Sequence, residues 1–477
     1  MKQAATRFAT ALLLVPVSSE NALAHALAQR YDLPLPLGYF LSGCGAVVAV
    51  TFVIFAIFFR KHRDLAKTSD GVILSVPIPN ILVATLQGLS IATLTLLVMA
   101  GLFGNPSTFK NITPVSVWVI WWVGFGFLAA FVGNLWPLIN PWVVAFDLAQ
   151  TVTGRRLKVL SFHLSYPPWL AVWPSCVLFL LFAWLELVAP ARDVPRNIAI
   201  AILAYSFLTW TGFGAFGRDT WLKNGEVFSL AFGLFGRFAP LNFADGDRYY
   251  VSVRPWAVGL VTRTPLNASM TAFALLMLGT VTVDGLMETP QWAAFVTWAL
   301  KGSSADGDQI RYMIMQTSLL IAGPITLAAL YLLATTVMAR VSQSSFKETS
   351  GLFALSLVPI AIAYHLAHYF SLFAIAGQFI IPLASDPFGY GWDLFGTTLY
   401  RIDIGIVDAK SIWYISVAAI VTGHMIAVWL GHATAVIAFV DKNTATRSQY
   451  PMLVLMVGYT MLSLWILAQP IVEPSAK

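Results

Sequence analysis

The sequence predicts an all-α fold, a polytopic transmembrane helix bundle of about ten spans after a cleaved signal peptide. Composition is the first reason. Only 10% of the 477 residues are charged and 58% are hydrophobic, with a mean hydropathy of +0.76, whereas soluble domains carry about 25% charge. The second reason is that no polar stretch between the apolar runs is long enough for a soluble domain. Third, the basic residues fall in alternate short loops, as the positive-inside bias requires. That distribution accounts for the net charge of +6 and leaves no basic face for nucleic acid.

Residues 1–24 read as a signal peptide: Lys2 and Arg7, the short apolar stretch FATALLLVPV, then Ala22-Leu23-Ala24 as a small-x-small cleavage site. The mature chain, 25–477, is a single transmembrane helical domain beginning with His25. The amine and imidazole of an N-terminal His25 form a chelating pair suited to copper or a similar metal.

Apolar runs follow near 37–59, 80–103, 114–134, 168–189, 197–216, 267–287, 310–338, 351–376, 411–439 and 451–470. Arg60-Lys61-His62-Arg63, Arg155-Arg156-Leu157-Lys158, Arg218 with Lys223, Arg340 with Lys347, and Lys442 with Arg447 follow every second span. All therefore face the cytoplasm, with both ends of the mature chain outside. Residues 136–150 and 226–241 read as segments lying along an interface. The aspartate- and aromatic-rich outer loop 384–410 reads as a lid. Trp121 and Trp122 read as tryptophans of the lipid interface. Cys44 and Cys176, each inside an apolar run, read as small buried hydrophobes.

Four histidines stand out within spans, where polar groups are costly and face the bundle interior. His365 and His368 form an HxxH in GLFALSLVPIAIAYHLAHYFSLFAIAG; His424 and His432 lie in SIWYISVAAIVTGHMIAVWLGHATAVIAF. Helical geometry puts the first two roughly 60° apart on one face, suited to ligating one ion. It separates His424 from His432 by about 12 Å, so His424 joins the pair. His432 falls near the cytoplasmic end and makes a structural hydrogen bond to a neighbouring helix. Glu186 and Asp284, towards the outer ends of their spans, serve as ligands or proton acceptors, with Asp386 and Asp393 near the same mouth. A Walker loop, a dinucleotide-type GxGxxG following a strand, HExxH, GxSxG and CxxCH are absent from the sequence.

AHALAQRYDLPLPLGYF, INPW, TVDGL, HLAHYFSL, PLASDPFGYGWDLFGT and SQYPMLVLMVGYT together resemble a bacterial family of polytopic membrane proteins labelled fenitrothion hydrolases, membrane-bound organophosphorus hydrolases. The resemblance runs over nearly the whole mature chain. It implies a protein of the bacterial inner membrane that hydrolyses neutral organophosphate triesters reaching it from the bilayer. The residues fit such a reaction: a divalent transition metal held by His365, His368, His424 and His25, with Asp284 or Glu186 taking the proton. The competing reading is a transporter or copper-type metal-handling protein that uses the same histidines.

Overall fold

The computed structural model describes residues 33–58, 72–153, 162, 164–244, 249–301, 305–439 and 441–469. The signal peptide, His25, His62 and the basic clusters at 60–63 and 155–158 lie outside the described residues. The apolar runs form helices: α1 Leu37–Phe58, α2 Asn80–Phe103, α3 Ile112–Phe131, α4 Pro141–Thr153, α5 Trp173–Leu187 and α6 Pro195–Phe216. Then come α7 Val227–Gly236, α8 Ala268–Met287, α9 Ala305–Ser342, α10 Phe346–Ser385, α11 Ala409–Ala438 and α12 Lys442–Ala468. Among the described residues, nine helices are long and apolar enough to cross a membrane. The fourth expected span is the shorter α5, of 15 residues.

Local sequence fixes the helix starts. The side chains of Asn267, Asp408 and Asp441 accept from Met270, Ser411 and Thr444 N–H at 2.8, 2.9 and 2.8 Å, satisfying donors that a helix cannot bond internally. Pro195 occupies the first turn of α6, where its missing N–H costs nothing.

The spans differ in burial, and that decides which of them is central. The apolar stretch of α10 is 89% buried and that of α2 only 11%, so α10 is the axis and α2 faces outward. Small residues let its neighbours close in: a Cβ on Gly423 of α11 would lie 2.4 Å from Ala363 Cβ of α10. Within α3, Val115–Gly124 is π-helical, a rare geometry that recurs at functional sites.

Several expectations change here. Segment 226–241 is not interfacial. Its helix α7 buries Val227, Phe228, Ala231, Phe232, Leu234 and Phe235, because both of its faces are apolar and α3, α5 and α10 surround it. Residues 136–150 are likewise partly interior, with Trp136, Leu138, Asn140 and Trp142 buried. Trp122 is also interior, 7% exposed, and Trp121 packs against Phe228 at a centroid distance of 4.5 Å. A small antiparallel sheet, order β1-β3-β2, joins Leu74–Pro77, Tyr250–Val253 and Leu241–Ala244. No span-scale periodicity announced it.

Glu226 anchors this buried half-helix. Its side chain is fully buried and accepts from Tyr205 OH (2.6 Å), Trp136 Nε1 (3.2 Å), Asn140 Nδ2 (3.4 Å) and the N–H groups of Phe228 (3.2 Å) and Ser229 (2.7 Å). Glu226→Ala strands those donors and is expected to cost more than about 3 kcal/mol. Glu226→Gln keeps one acceptor oxygen and loses less. Thermal unfolding in detergent checks the order; equal stability of both variants with the parent would remove Glu226 as the anchor.

Candidate metal centre

Asp284, in the last turn of α8, and Glu288, which caps its C-terminus, stand four residues apart, the spacing that puts two side chains on one helix face. Opposite them α10 presents His368 and Tyr369. His368 Nε2 lies 2.9 Å from Asp284 Oδ2, and Tyr369 OH donates to the same oxygen at 2.6 Å. One ligating atom from each of Asp284, Glu288 and His368 falls within 4.8 Å of the others. The His368 and Asp284 side chains are only 7% and 14% exposed. Two carboxylates and an imidazole suit a divalent transition metal such as zinc or manganese. Tyr369, bonded to a ligand carboxylate, supplies the orienting outer contact such sites use.

The sequence grouping of residues is rearranged. His365 does not join His368. Its ring is boxed by Trp122, Phe127, Phe235 and Tyr369 at centroid distances of 5.8, 5.4, 5.6 and 4.9 Å, and its Nε2 has no hydrogen-bond partner. On a span surrounded by other helices, about 60° of helical rotation is enough to send His368 to α8 and His365 to α3 and α7. Room for that ring comes from Gly126, where a Cβ would sit 2.8 Å from His365 Nε2.

His424 is also elsewhere. Its Nδ1 meets Ile420 O at 2.8 Å and its ring faces Tyr459 of α12 at 6.0 Å. Tyr459 in turn is hydrogen-bonded to Thr282. His432 meets Gln449 Nε2 of the neighbouring helix at 3.3 Å, the structural bond expected for it. His25 lies outside the described residues.

Glu186 of α5 lines a cavity with His365, Tyr369, Trp122, Phe235 and Thr280. The cavity offers about 20 Å³ to the centre of a water molecule, room for roughly one water. The 384–410 loop turns Asp386 and Asp393 inward on itself. Asp386 accepts from Tyr390 and Gly391 N–H at 2.9 and 2.7 Å, and Asp393 from Thr398 N–H at 3.2 Å. It docks on the turn after α2 through Asn105 N to Phe388 O, 2.7 Å, and Tyr390 OH to Phe103 O, 2.7 Å. Asp386 and Asp393 therefore serve as capping residues.

Sequence reasoning missed Glu288 and Tyr369. The acidic i, i+4 pair in VDGLME was the available signal for the first. For the tyrosine, adjacency to His368 gives no direction by itself.

Fold and site together define a multi-pass helical membrane protein with a buried carboxylate–imidazole centre capable of holding a metal. No family model matches the chain, and no curated protein or solved structure is detectably similar to it.

A bound ion stabilises the fold it binds, by about 2.7 kcal/mol at a hundredfold excess over Kd. Zinc or manganese is therefore expected to raise the melting temperature of the wild type, with the gain lost in Asp284→Asn, Glu288→Gln and His368→Ala. His365→Ala and His424→Ala are expected to keep it. Loss of the gain in these two together with His368→Ala, with the gain kept in Asp284→Asn and Glu288→Gln, would return the site to the histidine trio.

Proposed function

We propose that this protein is a membrane-embedded, metal-dependent hydrolase of neutral organophosphate triesters, centred on Asp284, Glu288 and His368. The observation that carries the reading is the convergence of these three ligating groups within 4.8 Å inside a helical bundle. The organophosphorus-hydrolase resemblance of the sequence motifs supplies the reaction class. A divalent ion held there would supply Lewis acidity toward the phosphoryl oxygen and acidity to a coordinated water.

The chain's own groups do the remainder. Tyr369 and His368 fix the Asp284 carboxylate from α10, so its orientation does not depend on solvent. Glu186, which lines the small cavity together with Tyr369, takes the proton released as water attacks phosphorus and the aryl oxide leaves. The apolar surroundings favour a neutral, greasy substrate that partitions from the bilayer.

A second reading, metal-ion handling across the membrane, is favoured by the size of that cavity, which admits one water rather than a triester. Membranes containing the protein separate the two. Hydrolysis is expected to release nitrophenol from an aryl phosphotriester, to stop with chelator, and to fall by more than about 100-fold in Asp284→Asn or His368→Ala, with roughly 10-fold loss in Tyr369→Phe. Metal binding without hydrolysis under any divalent metal, together with metal uptake into sealed vesicles, would replace the hydrolase by the ion-handling protein.

A further inference from the structure

Glu186 occupies an unusual position. Its carboxylate lines an interior cavity whose other walls are mostly aromatic and aliphatic. Among the described residues no lysine, arginine or histidine nitrogen is shown paired with it within ion-pair distance. The nearest bases are engaged elsewhere: Arg192 Nη1 donates to Leu187 O at 2.8 Å and Arg192 Nε lies 3.8 Å from Asp193, while His368 is held by Asp284. A carboxylate with no paired base in such surroundings is far cheaper to bury as the neutral acid than as the anion.

The groups facing Glu186 can be enumerated by element. From α8 come Met277, Thr280 and Val281, with Asp284 and Glu288 beyond them; from α10 come His365 and Tyr369, with His368 beyond. Trp122 of α3 and Phe235 of α7 add no charge, and α9 packs on α5 through Thr317 on Trp184. Tyr369 connects the cavity to the centre. The Tyr369 ring lines the cavity and its hydroxyl is bonded to Asp284. With Asp284 and Glu288 so near, a third carboxylate charge is opposed until a cation arrives.

We propose that the Glu186 cavity is a proton site coupled to the Asp284–Glu288–His368 centre, so that capture of a divalent cation there expels the proton of Glu186. The inference rests on the metal reading of that centre. The balance is simple: the carboxyl O–H of Glu186 breaks, the proton passes to water, and the carboxylate charge left behind is offset by the incoming cation. Linkage is reciprocal, so metal affinity rises with pH, and the ionised Glu186 is produced only when the centre is loaded.

The test uses the full-length protein in detergent and zinc as the probe. Calorimetric titration in buffers of different ionisation enthalpy counts protons released per zinc, and the wild type is expected to release about one more than Glu186→Gln. In the wild type alone, infrared difference spectra between zinc-loaded and zinc-free protein should show a protonated carboxyl band disappearing. Zinc binding with equal proton counts, or with no carboxyl band lost, overturns the inference and leaves the centre standing. Zinc that does not bind at all overturns the centre, and the coupling with it.

Discussion

Hydrocarbon offers a polar side chain no water to fall back on, and the architecture of this chain follows from how its few buried acids meet that constraint. Asp284 is the decisive case. A carboxylate in the last turn of α8 is held by two adjacent residues of α10, His368 and Tyr369, which joins those helices. Since α10 is the most buried span, this contact sits on the axis of the bundle rather than on its rim.

Glu226 shows the opposite solution. Five donors saturate it, so it has no capacity left for a ligand and acts as a tie between α7, α6 and the Trp136–Asn140 turn. Asp284 keeps one oxygen free of the bonds to His368 and Tyr369 and has Glu288 beside it. The same chemical group thus serves structure in one place and a candidate centre in the other, and the number of donors around it tells the two apart.

Much of this was legible in the sequence. Hydropathy located the nine helices long and apolar enough to span, because each must be apolar over its length, while the run at 168–189 yields only the 15-residue α5. His368 and Asp284 stood out because ionisable groups inside spans are rare. What the sequence does not encode locally is azimuth. His365 and His368 are three residues apart, yet one faces an aromatic box and the other a carboxylate, a difference set by which helices flank α10. His424 was grouped with them on depth, but its face of α11 meets Tyr459 instead. Segment 226–241 misled for a related reason: an apolar helix of 10 residues reads as interfacial when the buried carboxylate capping it cannot be seen to have partners.

The two functional readings make different demands on the same space. Ion handling needs only the centre, a neighbouring acid and water-sized room beside that acid, all of which are present. Hydrolysis of a triester needs, in addition, a volume of several hundred Å³ open to the bilayer, against a cavity offering about 20 Å³ to a water centre. A hydrolase built on this bundle must therefore widen as substrate enters. The wall available to move is aromatic and glycine-supported: Trp122 and Phe235 stand around His365, and Gly126 leaves its imidazole no side chain to push against. The π-helical stretch that carries Trp122 has a looser hydrogen-bond register than an α-helix, and so α3 is the element on which substrate admission would depend.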